Sequence, residues 1–236
     1  MTVLVTGASQ GIGAAVARAF AARGARLALV ARSADRLAAV AADCARLGAP
    51  AGGGAAEPFV CDVTDDAAVE AMAEAVCRWG GVPDVVVNNA GLFEPGSLLE
   101  TSPAAFRRQM EVNAVSAFLV TRAFWEGMRA RGGGRVLMMG SVASVRGYPG
   151  GVAYGAAKHA LLGLARSLRE EAKGTGVSVT TLLPGATRTA SWDGTDLPDD
   201  RFIPPEDVAR VAVEVALLSG RTVVEEVLIR PDAGDL

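Results

Sequence analysis

Short β-branched runs alternate along this chain with longer Ala-rich stretches whose apolar residues recur every three or four positions. The short runs predict strands over 2–5, 27–30, 59–61, 84–87, 136–139, 177–182 and 223–229. The long stretches predict helices over 12–22, 34–47, 66–79, 103–131, 152–173 and 205–218. Ser102-Pro103 and Pro204-Pro205-Glu206 supply helix-start chemistry. The strands lack polar/apolar alternation, as expected when helices cover both faces of a sheet. Strict strand-then-helix order implies a parallel, doubly wound α/β sheet with right-handed crossovers. One segment breaks the rhythm: between Pro184 and Pro205 the chain is polar and turn-rich, with isolated Trp192, Leu197, Phe202 and Ile203. A loop of that length inside a compact fold is expected to be a cover over a binding site.

Composition narrows the classes. A chain of 236 residues, half of them hydrophobic, fits one domain, 1–236, with a filled core. The formal net charge of -3 leaves no basic excess for a phosphate backbone, so nucleic acid is not expected as a partner. Cys44, Cys61 and Cys77 are odd in number and lack metal-ligand spacing, which fits a reduced, cytoplasmic chain. Met1 and Thr2 lead straight into an apolar run with no basic region or cleavage site, so no signal peptide is expected. Arg18, Arg23, Arg26 and Arg32 interrupt the N-terminal quarter before it reaches membrane-spanning length, so no membrane partner is expected either.

The first strand runs into Thr6-Gly7-Ala8-Ser9-Gln10-Gly11-Ile12-Gly13, which opens the first helix. Gly7 allows the tight turn, Gly11 lets backbone approach a pyrophosphate, and Gly13 lets the helix pack closely on the strand. The unpartnered N–H groups of the first turn and the helix dipole favour an anion there. Further along, Tyr154-Gly155-Ala156-Ala157-Lys158 places a phenol and an ammonium on one helical face, with Ser141 at the end of the preceding strand and Asn113 inside the long helix before it. A phenol can protonate a developing alkoxide, and a neighbouring cation, together with an oxidised cofactor, is expected to lower its pKa from the usual value of about 10. His159, the single histidine, should point away from that face, about 100° round the helix.

With TGxxxGxG after the first strand, Asn88-Asn89-Ala90-Gly91 after the fourth, and the Asn–Ser–Tyr–Lys set in order, the chain resembles the short-chain dehydrogenase/reductase family along essentially its whole length. The resemblance implies a Rossmann-type three-layer α/β/α sandwich with a seven-stranded parallel sheet and a site at the carboxyl ends of the strands. It implies catalytic roles for Asn113, Ser141, Tyr154 and Lys158: Tyr154 as general acid and base, Lys158 on the nicotinamide ribose, Ser141 on the substrate oxygen, and Asn113 holding a water that links Lys158 to solvent. No metal is called for. Cofactor contacts are implied for Gly7, Ser9, Gln10, Gly11, Ile12 and Gly13, for the pair Asp62 and Val63 at the adenine, and for Asn89, Ala90 and Gly91. Pro184, Gly185, Thr187 and Thr189 match a PGxxxT segment whose last Thr contacts the carboxamide. Tyr154 and Lys158 belong to both sets.

The second strand ends Ala31-Arg32-Ser33, with no acid to hold a ribose 2′-hydroxyl; Arg32 and Ser33 suit a 2′-phosphate, so NADP(H) is favoured over NAD(H). Relatives that prefer NADP often carry a base where this chain has Gln10. Val142, Tyr148 and Trp192, with Ser141 and Tyr154, are expected to bind substrate; Leu92, Phe93 and Val145 should add apolar wall, and Arg146 or Arg188, if turned inward, would admit an acidic compound. The expected partners are a small carbonyl or alcohol substrate and further copies of the chain, as a homodimer or homotetramer. Two other readings stay open: an epimerase or dehydratase using the cofactor transiently, and a non-catalytic dinucleotide sensor.

Overall fold

A computed structural model describes residues 1–235. Seven strands form one parallel sheet in the order β3-β2-β1-β4-β5-β6-β7. These are β1 (Thr2–Thr6), β2 (Arg26–Ala31), β3 (Ala56–Val60), β4 (Val85–Asn88), β5 (Gly134–Met139), β6 (Val177–Pro184) and β7 (Glu226–Ile229). The helices are α1 (Gly11–Ala21), α2 (Ala34–Gly48), α3 (Asp66–Gly80), α4 (Pro103–Met110), α5 (Ser116–Arg131), α6 (Val152–Ala172) and α7 (Pro205–Ala216).

The two-residue period of a strand explains the three layers. Val3 and Val5 of β1, with Leu27 and Leu29 of β2, enter a core shared with α1, α2 and α7. Their neighbours Leu4, Ala28 and Val30 enter the opposite core, shared with α3, α5 and α6. Both faces are therefore apolar, and the sequence shows runs instead of alternation.

Three elements differ from expectation. The predicted helix over 103–131 is interrupted by a π turn, Glu111–Val115. Carbonyls in this widened stretch are met by side chains: Ser116 Oγ donates to the Val112 carbonyl at 2.7 Å, and Asn113 Nδ2 donates to that of Gln109 at 3.0 Å. β7 begins at Glu226, three residues later than predicted, and forms a short edge strand. β3 begins at Ala56, earlier than predicted, because its register on β2 starts at Leu27. Among the described residues no helix is long and apolar enough to cross a membrane.

Candidate active site

The glycine turn is shaped by close approach. Gly7 and Gly11 have φ of 63° and 55°, where side chains are strained. A Cβ on Gly13 would lie 2.3 Å from the Gly7 carbonyl oxygen and 2.4 Å from Asn89 Nδ2. Asn89 Nδ2 donates to the carbonyls of Thr6 and Gly7, at 3.0 and 3.3 Å, while Thr6 Oγ1 accepts from the backbone of Asn89 and Ala90. The β1 and β4 ends are thus tied into one cradle. Gln10, the N-cap of α1, makes no capping hydrogen bond with its side chain, so first-turn N–H groups remain for an anion. A cradle that a Cβ would fill, set at a helix N-terminus, fits a dinucleotide pyrophosphate.

The ends of β2 and β3 carry the other nucleotide-side residues. Arg32 is exposed and lies 4.0 Å from Asp62. Asp62 Oδ1 accepts from the Thr64 backbone and hydroxyl, and these bonds hold its carboxyl below the usual range. The Val63 side chain packs in the core. Sequence reasoning missed Arg36. Its guanidinium donates to Ser33 Oγ at 3.3 Å and to Gln10 Oε1, bridging the β2 end to the glycine turn. An Arg one helical turn beyond Arg32 was the available signal.

Next to this cradle lies a cleft of about 800 Å³ lined by Ile12, Asn89, Gly91, Asn113, Ser141, Tyr154 and Lys158, together with Val142, Tyr148, Pro184, Gly185, Thr187, Thr189 and Trp192. Gly11 and Thr189 face each other: a Cβ on Gly11 would sit 3.2 Å from Thr189 Cγ2. Thr187 is buried, and its hydroxyl donates to the Gly185 carbonyl at 3.0 Å. Ser141 ends the extended backbone after β5 and caps the short turn Val142–Ser144, its Oγ accepting from the Ala143 N–H at 3.1 Å. Gly140, also unflagged by sequence, sits close to β6 there, a Cβ lying 2.8 Å from the end of the Leu183 side chain and 3.1 Å from the Leu182 carbonyl oxygen.

Burial pushes the Tyr154 phenol up to about 12, opposed by the neighbouring Ser141 hydroxyl. The buried Lys158 ammonium, pulled down to about 8 by burial, donates to the Met139 carbonyl at 2.8 Å and lies 5.6 Å from the Tyr154 ring centre. The protein's own groups thus leave the phenol above its ordinary value, whereas the lowering expected from Lys158 and an oxidised cofactor together concerns the cofactor-bound state. The Asn113 side chain is committed within the protein. It accepts from the Leu92 N–H and donates to the carbonyls of Leu92 and Gln109, so both amide protons are already engaged. His159 is exposed, with Nδ1 against the Gly155 carbonyl at 2.8 Å, away from the cleft.

The segment between Pro184 and Pro205 lines this cleft as far as Trp192, and its later residues do not reach the lining. Thr187 bridges to Ile203, and Phe202 and Ile203 are buried as its footing. Trp192 stacks on Phe93 at 6.4 Å, and Phe93 meets Tyr154 edge-on at 5.0 Å, forming an aromatic wall. Tyr148 lies against Gly151, where a Cβ would come within 2.4 Å of its ring. Val145 is exposed and outside the wall. Arg188 turns away to Asp199, at 3.0 Å, and covers the Phe202 ring, whereas Arg146 does line the cleft.

The family model for short chain dehydrogenases matches residues 1–197. The chain belongs to the short-chain dehydrogenase/reductase family. It is an oxidoreductase of that family, 37% identical to D-threitol dehydrogenase of Mycolicibacterium smegmatis over 90% of this chain and 84% of that one. Sepiapterin reductase of Chlorobaculum tepidum is 31% identical, over 99% of this chain and 97% of the relative. Among solved structures, an alcohol dehydrogenase of Thermococcus sibiricus complexed with 5-hydroxy-NADP superposes with a TM-score of 0.89 at 32% identity, covering 98% of this chain and 96% of the other. A metagenomic short-chain oxidoreductase in complex with NADP gives 0.84 at 35% identity, with the same coverage.

Proposed function

We propose that this short-chain dehydrogenase/reductase interconverts a ketone or aldehyde with an alcohol on a small, largely apolar molecule, using NADP(H). When bound, the cofactor supplies or accepts the hydride. The chain's part is the proton. Tyr154 protonates the developing alkoxide in reduction and removes the hydroxyl proton in oxidation. The observation that carries this reading is the convergence of Ser141, Tyr154 and Lys158 on one cleft beside the glycine cradle. With its pKa pushed up to about 12, the phenol is protonated at neutral pH, the state a general acid needs. The Ser141 hydroxyl donates to the substrate oxygen as charge grows there. Lys158, charged below about 8, favours the phenolate once the proton has left and holds the nicotinamide ribose. Asn113 acts as a brace between the π turn and Leu92, so any water serving Lys158 is held by another atom than its amide nitrogen.

Gly7, Ser9, Gln10, Gly11, Ile12 and Gly13 would hold the pyrophosphate, Asp62 and Val63 the adenine, and Asn89, Ala90 and Gly91 the ribose side. Pro184, Gly185, Thr187 and Thr189 would hold the nicotinamide end. Arg32, Ser33 and Arg36 suit a 2′-phosphate, and the NADP carried by the similar structures supports that choice over NAD(H). Val142, Tyr148 and Trp192 form the substrate wall.

One catalytic domain, 1–236, carries both halves. A cytoplasmic setting rests on the three free thiols. Assembly into a homodimer or homotetramer is supported by apolar side chains left exposed on α4, α5 and β7, namely Phe106, Phe118 and Leu228.

The test is loss of reduced-nicotinamide absorbance with a panel of aryl and alkyl ketones, run with NADPH and NADH on the wild type and Tyr154→Phe. The expected result is turnover favouring NADPH that falls by about 10²–10⁴-fold in Tyr154→Phe while NADPH binding persists. Undiminished turnover in that variant would overturn the assignment of the acid.

A further inference from the structure

A second charged cluster shares the cleft with Tyr154 and has no part in the proton chemistry. Arg146 follows the short turn after β5, and Arg230 follows β7; both converge on the carboxylate of Asp235. Arg146 Nη1 lies 3.4 Å from Asp235 Oδ2, Arg230 Nε donates to Oδ1 at 3.1 Å, and Arg230 Nη2 donates to Oδ2. The second guanidinium therefore grips the carboxylate with two donors, the fork geometry that suits a planar anion. All three residues line the substrate cleft. The anion is the more enclosed partner: the Asp235 side chain is 19% exposed, against 69% for Arg146 and 45% for Arg230. Its Oδ1 lies 3.6 Å from where a Cβ on Gly185 would be, so the carboxylate sits over the Pro184-Gly185 turn.

We propose that Arg146 and Arg230 form a carboxylate-binding subsite of the substrate cleft, that Asp235 is its internal occupant, and that the substrate is an apolar ketone or alcohol bearing a carboxylate that takes Asp235's place. This rests on the carbonyl/alcohol reading above and specifies its substrate class. The segment carrying Asp235 belongs to no helix or strand. After β7 it is irregular, and within it Gly234 N–H donates to the Pro231 carbonyl at 2.9 Å. Release of the carboxylate thus disturbs little regular structure. Once Asp235 leaves, Arg146 and Arg230 face the cleft against Asp232, a balance that draws in an anion. Hydrogen bonding from Arg230 holds the Asp235 carboxyl below the usual range, so the internal occupant is ionised at neutral pH. Across the cleft, Phe93 and Trp192 offer the apolar surface for the rest of the molecule.

The probes are 4-oxo-4-phenylbutanoate and its methyl ester, reduced with NADPH by the wild type, Arg230→Gln and Asp235→Asn. Binding of the non-reducible 4-phenylbutanoate in the presence of NADP⁺ is followed calorimetrically on the same proteins. The acid-over-ester ratio of kcat/KM should favour the acid in the wild type, fall by about tenfold in Arg230→Gln, and rise by about tenfold in Asp235→Asn, where the competing charge is gone. Ester turnover with a ratio that neither substitution moves would refute the subsite and leave the oxidoreductase reading intact. If neither ketone is reduced, calorimetry decides: 4-phenylbutanoate binding weakened by Arg230→Gln and tightened by Asp235→Asn supports the subsite, and binding indifferent to both refutes it.

Discussion

Along the carboxyl edge of the sheet, the β1–α1 turn and the loops after β5, β6 and β7 lie side by side but are held in different ways. The turn is fixed by backbone: two left-handed glycines, a helix start pressed to within a methyl group of the Gly7 carbonyl, and Asn89 stitched to it from β4. The other loops are held by side chains, through Trp192 stacked on Phe93 of the loop after β4, the buried footing of Phe202, and ion pairs such as Arg146–Asp235. Backbone packing of the first kind tolerates almost no added atoms. Side-chain packing of the second kind can be re-cut to suit another substrate while the nucleotide side stays as it is.

Substitutions on the two sides should therefore differ in what they damage. The largest effect is expected from Gly13→Ala, whose added methyl meets the Gly7 carbonyl and Asn89. It should cost about 1–3 kcal/mol or more in thermal unfolding and abolish measurable NADPH binding. Retention of both would show that the cradle is looser than its contacts imply. Next comes Arg36→Leu, which removes the bridge from Ser33 to Gln10. NADPH affinity should weaken by about tenfold while NADH affinity changes little, measured by fluorescence titration. Equal loss for both cofactors would move the 2′-phosphate contact elsewhere. The smallest effect is expected from Trp192→Ala, on the loop side. KM for an aryl ketone should rise by about threefold, with a melting temperature close to that of the wild type. A large loss of stability there would erase the contrast between the two sides.

The sheet, its order of elements and the nucleotide cradle were legible because they depend on period and on glycine placement, both local features of sequence. Ser141, Tyr154 and Lys158 were legible for a related reason: helical spacing and strand ends fix where they point. Arg36 and Arg230 were not, because their meaning depends on which loops meet in space. The π turn was hidden as well, since residues 103–131 keep a helical pattern through it and the widening is set by Asn113 and Ser116 reaching for carbonyls. The depth of burial of Tyr154, a tertiary property that residue type does not show, pushes its phenol up in the protein's own surroundings.

That upward push gives the account its most direct test, the pH dependence of kcat/KM for the wild type in both directions. Oxidation needs the phenolate, so its rate should rise with pH, by about tenfold per unit, up to about 8, where Lys158 is still charged and the phenol still protonated. Reduction needs the phenol and should stay level over that same window. An oxidation profile that is flat, or that falls as pH rises, would contradict Tyr154 as the group that carries the proton.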